Sequence, residues 1–342
     1  MATIAQCAGR DLSKLWARQN VFLACHRAFT ASTLGSKREE EGHPAQKHAN
    51  LTMEDPQAGR YDMEEPSSSS GSPVSSSSTT DFGFQHVERD QKQNLVRQVF
   101  SSVAPSYDVM NDLMSGGLHR MWKDRLVEML APFPGTKHID VAGGTGDVAF
   151  RVLRAIQGAE GLRNVCDTSE GPVGSVTVFD INREMLEEGK KKAKNAANLD
   201  LRRLKWVEGS AEELPFDDNT FDSYTIAFGI RNVTNRQAAL MEAHRVLKPG
   251  GRFLCLEFSK VTIPGLQQIY DEYSFRVIPE VGRLVAGDAD SYRYLVESIR
   301  MFPGQEEFKE MIEAAQFQSV TYENLTAGVV AIHSGIVGRC HK

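Results

Sequence analysis

His138-Ile-Asp-Val-Ala-Gly-Gly-Thr-Gly-Asp-Val-Ala-Phe150 reads as a short buried strand, a glycine-rich turn at Gly143, Gly144 and Gly146, and the start of a helix. The glycines let the chain reverse tightly and let its backbone approach a ligand with no Cβ in the way. A turn of this kind after a first strand is where a doubly wound α/β sheet holds a nucleotide-like molecule. A dinucleotide site would need G-x-G-x-x-G, with a pyrophosphate on the helix N-terminus. Here the glycines follow an acid instead, as Asp140-x-x-Gly143-Gly144-x-Gly146. That order suits a ligand without phosphate that carries an amino-acid end and a ribose, and S-adenosylmethionine is such a ligand. An ordinary strand-to-helix turn is the competing reading, and the downstream spacing has to decide.

Downstream, strands alternate with helices. Strand one spans residues 137–142 and its helix 146–156, followed by a polar, glycine-containing insertion at 157–175. Strand two, Ser175–Asp180, ends in an acid. A helix over 182–195 carries Lys190-Lys-Lys192, read as a solvated face. Strand three is Leu204–Glu208, and strand four, 221–228, runs into Gly229-Ile-Arg-Asn-Val233. The helix Arg236–Val246 leads through the turn Lys248-Pro-Gly-Gly251 to strand five at 252–258. Residues 260–302 form an aromatic and arginine-rich insertion; a helix at 305–315 and strands near 319–324 and 328–333 follow. The alternation predicts a mostly parallel sheet whose closing pair includes an antiparallel edge strand.

Upstream, the folded part is expected to begin at Phe82. Helical spacing appears over 91–100 (Leu95, Val96, Val99, Phe100), and a second amphipathic helix covers Leu118–Leu130 before Pro132 and Pro134. Residues 1–38 carry Arg10, Lys14, Arg18, Arg27, Lys37 and Arg38 against the single acid Asp11. Basic, amphipathic and acid-poor, they read as an organelle transit peptide. Residues 39–81 are acidic and then serine-rich, ending in Pro66-Ser-Ser-Ser-Ser-Gly-Ser-Pro-Val-Ser-Ser-Ser-Ser-Thr-Thr80. Such a stretch buries too little apolar surface to offset its ordering entropy and reads as disordered linker. Residues 82–337 are then the catalytic domain, and 338–342 a short tail.

Composition narrows the function classes. A net charge of −6 argues against a nucleic-acid-binding surface. Cys7, Cys25, Cys166, Cys255 and Cys340 are scattered, with no C-x-x-C and no Cys/His zinc spacing, so reduced thiols and no structural metal are expected. No apolar run approaches the roughly 18 residues of a membrane span, which leaves a soluble or peripheral protein.

Ligands of a doubly wound sheet collect at the carboxyl ends of its strands. Four such ends carry distinctive residues: the glycine turn, Asp180, Gly209-Ser210-Ala211 and Gly229-Ile-Arg231-Asn232. An acid ending strand two can accept both ribose hydroxyls. It lies beyond the roughly 20-residue spacing of a compact dinucleotide site, and the 157–175 insertion accounts for the excess. An ordinary helix cap is the alternative for Asp180. Ser210 and Ala211 would face an adenine through backbone groups, or form a plain turn.

Asp140-Val-Ala-Gly-Gly-Thr-Gly-Asp147, Gly209-Ser-Ala-Glu-Glu-Leu-Pro-Phe216 and Leu247-Lys-Pro-Gly-Gly251 resemble class I S-adenosylmethionine methyltransferases. The more specific signatures, Tyr107-Asp-Val-Met-Asn-Asp112 and Phe228-Gly-Ile-Arg-Asn-Val233, resemble the ubiquinone/menaquinone C-methyltransferases, and the likeness covers residues 82–337. The resemblance implies a Rossmann-like, seven-stranded sheet with an N-terminal helical lid and an insertion after the fifth strand. It implies cofactor contacts at Thr145, Asp180, Ser210 and Ala211, beside the glycines Gly143 and Gly144. Ser210 stands where many members carry Asp or Asn, which leaves the side-chain bond to the adenine amine unassigned. Ala227 replaces a Ser of bacterial members and removes a possible contact. The implied substrate is a polyprenyl benzoquinol. The implied setting, with the transit-like start, is the matrix face of the mitochondrial inner membrane, peripherally bound within a multi-enzyme ubiquinone-synthesis complex.

Methylating a quinol carbon requires an electron-rich ring, reached by removing a phenolic proton whose pKa is near ~10. A guanidinium beside that oxygen would stabilise the phenolate, directly or through a water. Arg231 is the candidate, with a structural salt bridge as its alternative. Tyr107 and Asn232 would orient the ring, or Tyr107 would pack in the core. Asp108, Asn111 and Asp112 read as residues that tie down the lid, and His119 and His244 as structural. No metal is needed. The apolar residues of 267–300 would wall the pocket or form a dimer interface. A nicotinamide oxidoreductase and a non-catalytic scaffold that retains the cofactor site are the alternatives.

Overall fold

Along β3 (Lys137–Val141), Ile139 and Val141 enter one apolar layer, and the alternate residues His138 and Asp140 turn to the opposite face. The same period runs through the neighbouring strands. On β4 (Ser175–Asp180), Val176 and Val178 join one layer and Phe179 the other. On β7 (Leu247–Phe258), Leu254 and Leu256 alternate with Phe253 and Cys255. A strand buried on both faces by this alternation belongs in the middle of three layers. The computed structural model describes residues 79–104, 107–166, 171–265, 267–268, 272, 274–276, 283 and 289–339.

The remaining strands are β5 (Leu204–Glu208), β6 (Phe221–Ala227), β8 (Phe317–Leu325) and β9 (Val330–Val337), and the sheet order is β5-β4-β3-β6-β7-β9-β8. The first five are parallel, while β9 lies antiparallel between β7 and β8. Helices α3 (Leu118–Leu130), α4 (Asp147–Cys166) and α5 (Arg183–Asn195) cover one face, through Trp122, Leu126, Leu153, Ile156 and Leu186. Helices α6 (Arg236–Val246) and α8 (Gln305–Ala314) cover the other, through Leu240, Ala243, Phe308 and Ile312. Two further helices, α1 (Arg89–Val103) and α2 (Tyr107–Ser115), precede the sheet, and α7 (Ala289–Met301) follows β7.

Three expectations change. The described fold includes Thr79–Asp81, ahead of the expected Phe82: β1 (Thr79–Phe82) and β2 (Gln85–Glu88) form a hairpin turning at Gly83, whose φ is +60°. Residues 79–81 therefore leave the linker, and the rest of the leader and linker lies outside the described residues. Helix α4 does not stop at residue 156 but runs to Cys166. Its Glu160 is buried and accepts N–H bonds from Gly135 and Gly174, so tertiary contacts carry the helix past Gly158. Lys248-Pro-Gly-Gly251 lies inside β7 rather than before it, with a register shift against β6 and Gly250 at φ +81°. The insertion after β7 is described mainly at α7; most of the apolar residues of 267–288 fall outside the described residues. Among the described residues no helix is long and apolar enough to cross a membrane.

Candidate active site

The carboxyl ends of β3, β4, β5 and β6 open on one side into a cavity with about 1070 Å³ of empty space, continuous with solvent. Gly143, Gly144, Thr145, Asp180, Ser210 and Ala211, the expected cofactor residues, all line it, and so do Tyr107 and Asn232, expected to orient the ring. At Gly143 a Cβ would sit 2.8 Å from Val178 Cγ1 and 2.9 Å from the Asp140 carbonyl, and Gly144 has φ +52°. Both positions therefore require glycine, one for space and one for conformation. The Gly144 N–H donates to Asp180 Oδ2 at 2.8 Å, and the Asn182 N–H donates to Asp180 Oδ1 at 2.8 Å. Asp180 is thus no cap of α5; Asn182 takes that role, accepting from the Met185 N–H at 3.0 Å. Burial pushes the Asp180 carboxyl up to about 6 despite those bonds.

Four acids line this cavity: Asp180, Asp140, Asp147 and Glu212. Asp140 is fully buried and accepts from Thr225 Oγ1 at 2.8 Å and the Ala149 N–H at 3.1 Å, yet burial pushes it up to about 7. Asp147 sits at the first turn of α4 beside Lys123, whose Nζ is 3.0 Å from Oδ2. Burial works to raise its carboxyl, but Lys123 and Arg151 outweigh it and hold it below the usual range. An anion already fixed at the helix N-terminus repels a pyrophosphate there. It suits a cationic amino-acid end and a sulfonium. The donor set therefore fits S-adenosylmethionine and disfavours a dinucleotide.

Helix α1 crosses this cleft. Gln93 Nε2 donates to Ser210 Oγ at 3.3 Å, and Arg97 Nη2 to the Ile181 carbonyl at 3.2 Å. Neither residue was legible as a site residue, because an amphipathic helix gives no sign of which strand ends it will cover.

A second cavity of about 600 Å³ adjoins the first, and Phe100, Tyr107 and Phe228 line both. Val99, Val103, Trp122, Phe258 and Leu295 make it largely apolar, and Arg231, His119, Asn111 and Tyr294 supply its polar side. Phe228 turns between the cavities with φ +57°, a left-handed conformation uncommon for a bulky residue and typical of functional sites. Arg231 lies in this second cavity, not the first. It is buried, its Nη1 donates to Glu257 Oε1 at 3.0 Å and also to the Phe228 carbonyl. The salt bridge foreseen as its alternative role is therefore present. Burial raises the Glu257 carboxyl, with Arg231 pulling it back down. Asn232 Oδ1 accepts from the Tyr294 hydroxyl at 3.0 Å, and Tyr294 stacks on Phe82 at 4.2 Å. Glu257, one residue before the end of β7, was not singled out, since an acid in an apolar strand signals nothing until its cation partner is placed.

A profile of the ubiE/COQ5 methyltransferase family matches residues 86–337. The chain belongs to that family. It is accordingly an S-adenosylmethionine-dependent methyltransferase. Among curated relatives, the Bos taurus "2-methoxy-6-polyprenyl-1,4-benzoquinol methylase, mitochondrial" is 58% identical over 275 residues, 75% of this chain and 83% of that one. The Arabidopsis thaliana protein of the same name is 58% identical over 262 residues, 76% and 91% of the two chains. A solved structure described as a SAM-dependent methyltransferase of Thermotoga maritima, a possible histamine N-methyltransferase, is similar at a TM-score of 0.47. That likeness has 18% identity and covers 70% of this chain and 98% of that one. Among the described residues no group of His, Cys, Asp and Glu could hold a metal ion.

Proposed function

We propose that this methyltransferase acts on a ring carbon of a polyprenyl benzoquinol, the 2-methoxy-6-polyprenyl-1,4-benzoquinol of its relatives' names, in mitochondrial ubiquinone biosynthesis. The observation that carries the reading is the second cavity: apolar, sharing Phe100, Tyr107 and Phe228 with the cofactor cleft, and holding a guanidinium in its lining. A flat, apolar ring with hydroxyls needs those walls and one cationic donor.

When bound, S-adenosylmethionine supplies an electrophilic methyl group on a sulfonium. Asp180 would accept from the ribose hydroxyls, Gly143, Gly144 and Thr145 would border the amino-acid end, and Ser210 and Ala211 the adenine. In the second cavity Arg231 is held rigid through Nη1, and its Nε is buried with no partner among the described residues. That N–H is a donor a phenolate oxygen would satisfy. Tyr107, on both cavity walls, and Asn232, fixed by Tyr294, would align the ring with the donor. Closing the apolar walls excludes water, which favours a step that brings phenolate and sulfonium together and cancels their charges.

The tail of such a substrate lies in a bilayer, which supports a peripheral position on the matrix face of the inner membrane and association with other ubiquinone-synthesis proteins. Residues 1–38 would act as the transit peptide. The test is turnover: purified protein, reduced 2-methoxy-6-alkyl-benzoquinol with a short chain, and methyl-labelled S-adenosylmethionine. Label in the ring product is expected. Cofactor binding without any product would favour the scaffold reading.

A further inference from the structure

Among the buried side-chain atoms that lack a partner among the described residues, two belong to residues of the second cavity: Arg231 Nε and His119 Nδ1. The first is a donor. The second is an acceptor, and its state follows from its neighbours. His119 is 6% exposed on α3, and its Nε2 lies 2.8 Å from Asp112 Oδ1 on α2. Asp112 is in turn gripped by Arg120, through Nε at 2.9 Å and Nη2 at 2.6 Å. The Arg120 hydrogen bond holds the Asp112 carboxyl well below the usual carboxylate range, so Asp112 is ionised and can only accept. Nε2 therefore carries the imidazole hydrogen, and Nδ1 presents a bare lone pair. A buried acceptor left unpaired is costly unless something donates to it, and the residue lines the cavity in which a ring hydroxyl would lie.

We propose that His119, oriented by Asp112, is the base that takes the ring hydroxyl proton of the quinol. This rests on the function proposed above. The O–H bond breaks and its proton joins Nδ1; the electron pair stays on oxygen, beside Arg231, and is shared into the ring. The ring carbon then bonds to the methyl group as the methyl–sulfur bond breaks and its pair remains on sulfur. Loss of the proton on that carbon to water restores aromaticity, and the imidazolium returns its proton to the ring oxygen. One proton is released overall. A carboxylate behind the imidazole stabilises the imidazolium that forms and fixes the tautomer.

The charged groups facing His119 are Asp112 from α2, which Arg120 pairs with, Lys123 on its own helix and Asp147 from α4, with Arg231 in the same cavity lining. Burial pushes the imidazole down from its ordinary value, with Asp112 pulling the other way, so the ring is neutral and able to accept at pH 7.

In the turnover assay above, His119→Ala is expected to lose 10²–10⁴-fold, the scale of general base catalysis, with S-adenosylmethionine affinity within a few-fold. Added imidazole should restore part of the rate, following the concentration of its free base. Asp112→Asn should move the rising limb of the pH–rate profile, and Lys191→Ala, on the exposed face of α5, should leave it in place. A readout without turnover separates this inference from the function itself. A short-chain nitrophenol bound beside S-adenosylhomocysteine reports its phenolate by absorbance. Its bound phenolate fraction should fall in His119→Ala and stay in Lys191→Ala. An active parent whose His119→Ala keeps its rate and pH limb would overturn the proposal, as would a loss that imidazole does not restore. Should His119→Ala not fold, an unshifted limb in Asp112→Asn decides against it. An inactive parent overturns the assigned substrate, while the nitrophenol still reads whether His119 accepts the proton.

Discussion

Two acids and a cation carry the testable chemistry at the scale of single residues. Asp180→Ala is expected to weaken S-adenosylmethionine binding by roughly 1.5–3 kcal/mol, the worth of hydrogen bonds to a charged group. The same residue sets a pH dependence. Its folded pKa is raised to about 6, so its contribution to stability is full below the unfolded value and is lost as pH rises through 6. Binding runs the opposite way, because ribose hydroxyls donate to the ionised carboxylate. Affinity measured by titration calorimetry should fall between pH 7.5 and pH 5, and the share due to this group should vanish in Asp180→Asn, leaving only what Asp140 contributes. Arg231 needs a paired test, because removing it strands the buried Glu257, a loss of roughly 3–5 kcal/mol. Arg231→Met with Glu257→Gln should recover much of that melting temperature. Single-turnover rates in the double variant should nonetheless stay on the order of 10²–10³-fold low, the scale of one missing oxyanion donor. Recovery of the rate along with stability would leave Arg231 a purely structural residue. That Asp180 and the glycines would meet at one cleft was legible, because each sits at the carboxyl end of a strand that the local pattern reveals. His119, Glu257 and Lys123 were not, since each takes its meaning from a partner on another element: Asp112, Arg231 and Asp147.

At the scale of elements, the β1–β2 hairpin is the part whose role the sequence concealed. The Ser/Thr run reads as linker through Asp81, although Thr79–Phe82 form the first strand of the hairpin. Asp81 then reaches Arg236 Nη2 at 3.0 Å and the buried Lys92 Nζ at 3.4 Å, while the same Arg236 atom donates to the Arg231 carbonyl at 3.2 Å. Burial lowers the Lys92 ammonium and Asp81 opposes it. A chain beginning at Gly71 is expected to keep its melting temperature and cofactor affinity. Asp81→Asn should lose about 1–3 kcal/mol by thermal or denaturant unfolding, from the partly unpaired Lys92. Turnover should drop as well, because the turn that carries Arg231 and Asn232 loses its brace. An unchanged rate in a less stable Asp81→Asn would confine the hairpin to stability. The end of α4 was illegible for a similar reason: Gly158 and Gly161 argue for a stop, and only the distant Gly135, Gly174 and Arg203 gathered around Glu160 keep the helix going.

For the molecule as a whole, the alternating pattern of the sequence foretold the parallel half of the sheet, and the closing strands appeared as a pair without their order. Their placement has a consequence in time. Strand β9, the last element among the described residues, lies between β7 and β8, paired with β7 from Arg252 to Phe258 and with β8 along most of its length. During synthesis every earlier strand can leave the ribosome while this slot stays open, exposing the unpaired edges of β7 and β8. Long-range pairing of this kind is slow and leaves a nascent chain prone to aggregation. A stop codon at Val330 would spare every residue of both cavities and is still expected to abolish soluble protein, read as its recovery in the pelleted fraction after expression. Were that shortened chain soluble with the full chain's melting temperature, the sheet would be closing without its final strand. The cofactor cleft is lined by residues no later than Thr234, yet its existence waits on a strand translated well after them.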